Sequence, residues 1–279
     1  MTLATTLDYP IIAVGDLHGR AAWLAKLVAR LERRPEWPAA RLVFLGDLGD
    51  RCATVRDAVE LVRQLLVAKP GSTCVMGNHD LALTRAAGLD GLPPSPYWVE
   101  RYGSSYDHRY TFESYLGRPP RATHGPEWVE ELAALKAGMP LAHQELFAAL
   151  PWHAEAEGHL FLHCGLSTEF DCPATVQLEC LRRKLWERGI VHPKLGTKSD
   201  RMFTPDYPVW LGADRKASKF PLPYPGKVQV TGHEFTRRPD ATAIRIRIDT
   251  SGGTTEPLTA CVLRSATATP TFEFSDDQF

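Results

Sequence analysis

The sequence has almost no excess of one charge, no long apolar run and no export signal. Its 32 Lys and Arg residues balance 33 Asp and Glu residues, so the formal net charge of the 279-residue chain is −1. Such a balance offers no basic field to a phosphate backbone or an anionic lipid surface. No apolar run approaches the roughly 18 residues that a membrane-spanning helix needs, and Met1–Pro10 lack the basic-then-apolar order of an export signal. We therefore expect a cytoplasmic protein whose partners include neither a nucleic-acid polymer nor a membrane.

Several common catalytic motifs are also missing. The six cysteines form no CxxC pair, which disfavours a zinc finger and thioredoxin-like redox chemistry. None of them has the Arg six residues later that a cysteine-dependent phosphatase needs to hold the phosphoryl oxygens. The sequence contains no GxSxG elbow, no GxxxxGK(S/T) loop and no GxGxxG loop. What remains is chemistry carried out by His, Asp and Asn side chains.

The first 80 residues repeat one unit, in which a short apolar run ends in a Gly-Asp or Gly-Asn loop and an amphipathic segment follows. The three runs are Ile11–Val14 before GDLHG, Leu42–Leu45 before GDLGDR, and Thr73–Met76 before GNHD. After the first loop, apolar residues from Leu24 to Leu31 recur at i, i+3, i+4 and i+7, the spacing of one helical face. Apolar strands that alternate with helices predict βαβ units and an α/β fold with a covered sheet.

The middle of the chain has a different composition, rich in proline and aromatic residues. We expect residues 88–140 to be a mainly helical cap inserted into one domain that spans residues 1–279, with a helix over about Pro126–Ala137. The aromatic residues of this cap either pack on one another or provide a surface on which a nucleotide base stacks. The candidates for base stacking are Tyr102, Tyr106, Arg109 and Tyr110.

Near the end of the chain, the periodicity changes to that of a half-buried strand. Ile244, Ile246 and Ile248 alternate with polar residues. The turn sequence Ser251-Gly252-Gly253 follows, and after it comes the apolar run Leu258–Leu263. This order predicts a hairpin-like antiparallel edge.

Two later strand-and-loop units end in His163 and in Gly232-His233, so five predicted strand ends carry Asp, His or Asn. Loops at the carboxyl ends of strands converge in open α/β sheets, and we expect these side chains to meet there. Carboxylate, imidazole and amide oxygen together suit Mn, Fe or Zn. One carboxylate can bridge two such ions, and a metal pair can clamp both ends of an in-line phosphoryl displacement.

Taken in order, these motifs resemble those of the calcineurin-like metallophosphoesterases. They are more closely similar to the bacterial branch of the serine/threonine phosphoprotein phosphatases, whose relatives include the symmetrical diadenosine tetraphosphate hydrolases. The motifs are GDLHG at 15–19, GDLGDR at 46–51, GNHD at 77–80, a lone His163 and Gly232-His233, and the resemblance extends from Val14 to Leu263. It implies an α/β sandwich of two mixed sheets flanked by helices.

The resemblance also implies roles for particular residues. The first metal would have the ligands Asp16, His18 and Asp47, and the second would have Asp47 as a bridge with Asn78, His163 and His233. A hydroxide held between the ions would be the nucleophile, because bound metal lowers the pKa of water toward roughly 7. The resemblance further implies that His79 is the general acid, that Asp50 orients its ring, and that Arg51 holds two phosphoryl oxygens. Arg188 resembles a second phosphate-binding Arg.

Each of these roles has an alternative. Asp16 and Asp47 are also typical turn or helix-capping residues after strands. His79 could be a further nitrogen ligand. Arg51 could instead form a surface ion pair with Asp50, and Arg188 could be an exposed arginine of a helix. Two positions depart from the family pattern. Cys52 stands where Gly is usual, which bears on the local turn, and Glu234 stands where a small hydroxyl residue or Trp is common, which would alter a contact beside the second metal.

These observations favour a dinuclear-metal phosphatase that hydrolyses phosphomonoesters, chiefly phosphoserine and phosphothreonine in proteins. Arg51 supports a monoester, since a terminal phosphoryl group leaves several oxygens for a guanidinium to hold. Cyclic-nucleotide phosphodiesterases of the superfamily generally lack this Arg and end in Gly-His-x-His, whereas residues 232–235 read GHEF. The expected partner is a phosphoprotein or a small phosphorylated substrate. The alternatives are a dinucleoside polyphosphate hydrolase and a catalytically inactive scaffold.

Overall fold

A computed structural model describes residues 6–166, 173–184, 222–253 and 257–276. The strands of this part are β1 (Thr6–Leu7), β2 (Ile11–Val14), β3 (Arg41–Phe44), β4 (Thr73–Cys74), β5 (His153–Ala156), β6 (His159–Leu162), β7 (Val228–Thr231), β8 (Asp240–Ala241), β9 (Arg245–Arg247), β10 (Thr259–Leu263) and β11 (Thr271–Phe274). The helices are α1 (Ala21–Leu31), α2 (Val55–Ala68), α3 (Asn78–Ala87), α4 (Pro96–Ser105), α5 (Arg109–Leu116), α6 (Gly125–Gly138), α7 (Leu141–Ala149) and α8 (Ala174–Arg182).

The strands form two mixed sheets. One has the order β1-β5-β6-β7-β9-β8 and the other the order β11-β10-β2-β3-β4. In the second sheet β2, β3 and β4 are parallel, with Ile12 opposite Leu42, while β10 runs antiparallel to β2. In the first sheet β6, β7 and β9 are parallel, with Leu160 opposite Gln229. In each sheet the parallel strands therefore deliver their following loops to one edge.

Alternating side chains of the strands fill two separate cores. In β2, Ile11 and Ala13 belong to a buried cluster with Phe161 and Val230 of the other sheet, so this cluster lies between the sheets. Ile12 and Val14, on the opposite face of β2, belong to a second cluster, which includes the apolar faces of the helices. Alternation across a strand is what places successive residues in different layers. The predicted sandwich of two mixed sheets flanked by helices is confirmed.

The helices bury the faces that the spacing predicted. In α1, Leu24, Leu27 and Leu31 are buried and Val28 is partly buried. The helix over Gly125–Gly138 includes the predicted Pro126–Ala137 and has proline in its first turn. None of the helices within the described ranges combines the length and the apolar character needed to cross a membrane.

The predicted hairpin near the end of the chain is wrong. The alternating segment does form β9, but β9 belongs to the six-stranded sheet and β10 to the five-stranded sheet. Ser251–Gly253 therefore lie in the connection between the two sheets, and β10 pairs antiparallel with β2 and β11. Period-two alternation identifies a strand with one buried face. It does not determine which strand becomes its neighbour.

Four helices, α4 to α7, lie between α3 and β5 and are called the cap helices below. Their aromatic rings pack closely on one another, with ring centroids 5.4 Å apart for Phe112 and Trp128 and 6.1 Å apart for Tyr102 and Trp128. Tyr102 is completely buried, so its ring is not available to stack on a base. Of the four stacking candidates, Tyr102 is thus part of the packing inside the cap.

Candidate metal centre

The residues that the sequence motifs singled out lie in the loops after five strands. Asp16 and His18 follow β2, Asp47 follows β3, Asn78 and His79 begin α3 after β4, His163 follows β6, and His233 follows β7. Several of these residues have left-handed backbone conformations, with φ between 45° and 63° at His18, Asp47, Asp50, Arg51 and His233. This conformation is costly for residues other than glycine, and it concentrates where the surrounding structure imposes it.

One group of potential ligands consists of His18, Asp47 and His79. Their ligand atoms lie within 4.8 Å of one another, and all three residues are buried. His18 Nε2 lies 3.5 Å from Asp47 Oδ2, while His18 Nδ1 lies 2.9 Å from the carbonyl oxygen of Gly49. A proton on Nδ1 would serve that carbonyl bond and leave the lone pair of Nε2 directed at Asp47.

A second group contains Asp47, His163 and His233, again within 4.8 Å of one another. His163 Nε2 lies 3.5 Å from the same Asp47 Oδ2 and 2.9 Å from Asn78 Oδ1. His233 Nδ1 lies 3.0 Å from Asn78 Oδ1 and 3.2 Å from His163 Nε2. Because His163 Nδ1 lies 2.7 Å from the carbonyl oxygen of Leu45, its proton is best placed there.

Asp16 joins the two sheets at this site. Both of its carboxylate oxygens accept the backbone N–H of His233, each at 3.1 Å. Its own carbonyl oxygen accepts the hydroxyl of Ser251 at 3.1 Å. A side chain on Gly232 would overlap the Asp16 carboxylate, so this approach requires glycine. The five strand-end loops thus meet around one space.

The atoms that face this space are suited to a cation. If His18 and His163 each donate through Nδ1 to a backbone carbonyl, their Nε2 lone pairs face the Asp47 carboxylate with no proton between them. Lone pairs that face one another at 3 to 3.5 Å repel unless a positive charge lies among them. Nitrogen and oxygen donors of this kind suit divalent first-row metals. The residues therefore fit the divalent metals that this donor chemistry implies.

Electrostatics of the buried groups agree with that fit. Burial lowers the pKa of His18 well below its usual value, and burial with the nearby His163 lowers the pKa of His233 to about 3, so both imidazoles are neutral and able to ligate. Burial and the charges of Asp249 and Asp47 raise the pKa of Asp16 well above its usual value. Crowded carboxylates and uncharged imidazoles are the arrangement that a metal cation stabilises.

Asp80 organises the loops of this site, a role that the sequence interpretation missed. Its carboxylate accepts the backbone N–H groups of Asp47 at 2.8 Å, Leu48 at 2.9 Å and Gly77 at 3.0 Å. It therefore fastens the loop after β3 to the first turn of α3. The signal that could have found it is its position three residues after Gly77, which is the spacing of a capping box.

His79 and Asp50 form the contact that the sequence interpretation predicted. His79 Nδ1 lies 2.7 Å from Asp50 Oδ2, and the backbone N–H of His79 donates to Asp47 Oδ1 at 2.9 Å. Burial opposes a charge on His79, but the carboxylates of Asp47 and Asp50 outweigh it and raise its pKa above the usual value. An imidazole of this kind can hold a proton and deliver it.

Arg51 lies beside His79. Its Nη2 is 3.3 Å from His79 Nε2, and its Nη1 donates to the carbonyl oxygen of Gly252 at 2.8 Å. Asp249 holds the turn that presents this carbonyl, because Asp249 Oδ1 accepts the N–H of Gly252 at 2.9 Å. The guanidinium and the imidazole thus border the same space.

The remaining predicted site residues have different outcomes. Arg188 lies outside the described residues. At Cys52 the backbone φ is not positive, since the left-handed residues are Asp50 and Arg51, so a side chain is accommodated where the family usually has glycine. The carboxylate of Glu234 lies 3.2 Å from Arg245 Nη1 and 3.5 Å from Arg247 Nη1, in a mostly buried ion pair next to His233.

The sequence model of the family described as calcineurin-like phosphoesterase matches residues 9–236. A symmetrical bis(5′-nucleosyl)-tetraphosphatase of Bordetella pertussis is 28% identical over 185 residues, which cover 64% of this chain and 54% of that protein. The protein of the same name from Methylococcus capsulatus is 30% identical over 153 residues, which cover 52% of this chain and 45% of that protein. The matched region spans about half the length of these curated relatives.

A solved structure is also similar. The cold-active protein-tyrosine phosphatase of a psychrophilic Shewanella species superposes with a TM-score of 0.53 at 17% sequence identity, covering 99% of this chain and 83% of that chain. At this level of identity the likeness concerns the fold alone.

Proposed function

The chain belongs to the calcineurin-like phosphoesterase family, and from that membership we propose that it hydrolyses phosphate esters with two divalent metal ions. The observation that carries this proposal is the position of Asp47, whose Oδ2 lies 3.5 Å from both His18 Nε2 and His163 Nε2. One carboxylate oxygen between two imidazoles is suited to bridge two ions. Asp16, His18 and Asp47 would hold one ion, and Asn78, His163 and His233 would complete the second site with Asp47. The mixed donors suit Mn, Fe or Zn.

The chain supplies the groups that position the ester and move its proton. Ions bound here would polarise the phosphoryl oxygens and acidify a bound water. Arg51 would hold two phosphoryl oxygens with its planar fork. His79 would give the proton on Nε2 to the leaving oxygen, while the proton on Nδ1 stays on the ring and is hydrogen-bonded to Asp50. Since Arg51 Nη2 and His79 Nε2 are 3.3 Å apart, one phosphate ester can contact both groups.

We infer that the substrate is a phosphomonoester, with phosphoserine and phosphothreonine in proteins as the main class. A terminal phosphoryl group offers Arg51 two oxygens and still leaves oxygens for the ions. A second candidate is a dinucleoside polyphosphate. It is favoured by the names of the curated relatives and by Tyr106, an aromatic residue whose ring lies 4.8 Å from that of His79.

A substrate panel tests this proposal. The purified protein, loaded with Mn²⁺ and analysed for metal content, is assayed with phosphoserine and phosphothreonine peptides, with diadenosine tetraphosphate and with an aryl phosphate. We expect two ions per chain and hydrolysis of the peptides and the aryl phosphate. Cleavage of diadenosine tetraphosphate alone would show that the substrate is a dinucleoside polyphosphate and not a phosphomonoester. A protein that holds two ions but cleaves none of these compounds would overturn the proposal and favour an inactive scaffold.

A further inference from the structure

The carboxylate of Asp50 has partners on both of its oxygens, and two of them come from the cap helices. Oδ2 accepts from His79 Nδ1 at 2.7 Å. Oδ1 accepts the hydroxyl of Tyr102 at 2.8 Å and the hydroxyl of Thr111 at 2.5 Å. Tyr102 belongs to α4 and Thr111 to α5, and both side chains are completely buried. The three hydrogen bonds fix the plane of a carboxylate that could otherwise rotate about its terminal torsion.

The backbone of the same loop is also attached to the cap. The N–H of Asp50 donates to the hydroxyl of Thr111 at 3.1 Å, and the N–H of Arg51 donates to the carbonyl oxygen of Asp107 at 3.1 Å. Both loop residues have φ of 63°, a conformation that persists only where surrounding contacts impose it. Thr111 is therefore bonded both to the backbone and to the side chain of the residue that orients His79.

Aromatic contacts hold the imidazole ring itself. The ring of His79 meets the ring of His18 at 4.8 Å with an interplanar angle of 80°, and the ring of Tyr106 at 4.8 Å with an angle of 85°. Tyr106 immediately follows α4. The cap thus contacts His79 directly through Tyr106 and indirectly, by way of Asp50, through Tyr102 and Thr111.

We propose that Tyr102 and Thr111 are positioning residues for the general acid. They hold the Asp50 carboxylate, which holds the His79 ring, so that Nε2 points at the leaving oxygen. The inference rests on the proposed function, in which His79 protonates that oxygen. It assigns to the cap helices a part in catalysis.

Four variants test the proposal. Tyr102→Phe and Thr111→Val each remove one hydroxyl with little change of shape, and Thr111→Ser restores the hydroxyl. The control is Tyr115→Phe. Tyr115 is likewise a buried tyrosine of the cap helices, in α5, but its hydroxyl is bonded to His143 Nδ1 at 2.8 Å and not to Asp50. All four are compared with wild type for folding by circular dichroism and for metal content.

In kinetic assays, we expect Tyr102→Phe and Thr111→Val to lower kcat about tenfold for esters with poor leaving groups. This loss is smaller than the roughly 10²–10⁴-fold contribution of a general acid, because the variants misplace His79 but do not remove it. The effect on esters with good leaving groups is smaller, and KM is unchanged. Thr111→Ser and Tyr115→Phe retain wild-type values. A loss that is equal for good and poor leaving groups would contradict the positioning role.

A spectroscopic readout does not depend on turnover. The Nδ1 proton of His79, in a 2.7 Å contact with a carboxylate, is expected to give a far-downfield proton NMR resonance, assigned by its absence in His79→Asn. The resonance moves or broadens in Tyr102→Phe and Thr111→Val, and it is unchanged in Tyr115→Phe. An unchanged His79 resonance in Tyr102→Phe would show that the inference is wrong. This test holds whether or not Thr111→Val folds. If wild type hydrolyses no ester but the resonance responds as expected, the proposed function fails while the positioning contacts stand.

Discussion

Gly77 separates Asp47 from the first turn of α3, and replacing it with alanine should damage the metal centre. At residue 77 a Cβ atom would overlap Asp47 Oδ1 and the Asp47 backbone nitrogen and would lie 2.9 Å from Asp47 Cγ. Its φ of −90° is ordinary for any L-residue, so alanine would bring no backbone strain of its own. The effect of Gly77→Ala is therefore purely steric, and it falls on the proposed bridging carboxylate.

The size of the effect follows from that overlap. The atoms that the new Cβ would overlap are the backbone nitrogen of Asp47 and its carboxylate, which is held by the N–H of His79. The loop after β3 must therefore move, and overpacking of this kind costs about 1–3 kcal/mol. For a chain of this size each kcal/mol lowers Tm by roughly 2–4 °C. Displacing a reacting group by about 1 Å can cost on the order of 10²-fold in rate, so kcat/KM should fall by about that factor.

Gly49→Ala is the matched control. Residue 49 lies in the same loop, but a Cβ there would meet only the Thr111 hydroxyl at 3.6 Å and Val55 at 3.7 Å, which are ordinary contacts. We expect this variant to keep its metal content, its rate and a Tm at least equal to that of wild type. Metal analysis, thermal melts and hydrolysis of an aryl phosphate compare the two variants. If Gly77→Ala retains both ions and a rate within twofold of wild type, Asp47 does not hold the place that we assign to it.

Three further predictions concern single side chains. Asp47→Asn should lose bound metal and activity together, because the bridging charge is gone, and an active variant with two ions would refute the bridge. His79→Asn should keep its metal but turn over about 10²–10⁴-fold more slowly, most for poor leaving groups; equal losses for all leaving groups would exclude the acid role. Glu155→Gln should cost about 2 kcal/mol of stability without changing activity. The Glu155 carboxylate accepts from Lys227 Nζ at 2.8 Å and from Arg182 Nη2 at 2.6 Å. The side chain of Arg182 is 42% exposed, so solvent weakens the second of these ion pairs. Burial opposes the charge of Glu155, but His153, together with Lys227 and Arg182, lowers its pKa below the unfolded value. Its contribution is therefore complete above pH of about 4.3 and is lost as pH falls through the folded pKa. The difference in Tm between wild type and this variant should accordingly shrink in acid, and a constant difference would contradict the assignment.

Local patterns in the sequence were enough to predict the strand-end positions of the site. Asp47 follows a run of buried residues in a parallel strand, and parallel strands place such residues at one edge whatever the rest of the chain does. The roles of these residues came from the order of the motifs rather than from periodicity. The structure brings His18, Asn78, His163 and His233 around Asp47 at the distances described above, and their roles as ligands remain a proposal.

What the sequence could not reveal depends on contacts between distant segments. Tyr102 and Thr111 are 52 and 61 residues from Asp50, and no spacing rule relates a helix of the cap to a loop after β3. Tyr102 was instead a candidate for stacking on a base, because aromatic composition does not say whether a ring is buried. The wrong hairpin has a similar origin. Alternation in β9 describes the two faces of one strand, whereas the choice of sheet is made by the core between the sheets.

The left-handed residues around the metal centre have a consequence for protein engineering. Among the described residues other than glycine, six have positive φ, and five of these are His18, Asp47, Asp50, Arg51 and His233. Each gives up about 1 kcal/mol relative to glycine. Glycine at Asp50 would remove that cost but would leave the hydroxyls of Tyr102 and Thr111 and the Nδ1 proton of His79 without their acceptor. Because a buried donor without a partner costs about 1–3 kcal/mol, the exchange loses stability. A screen for heat tolerance alone should therefore leave this codon unchanged.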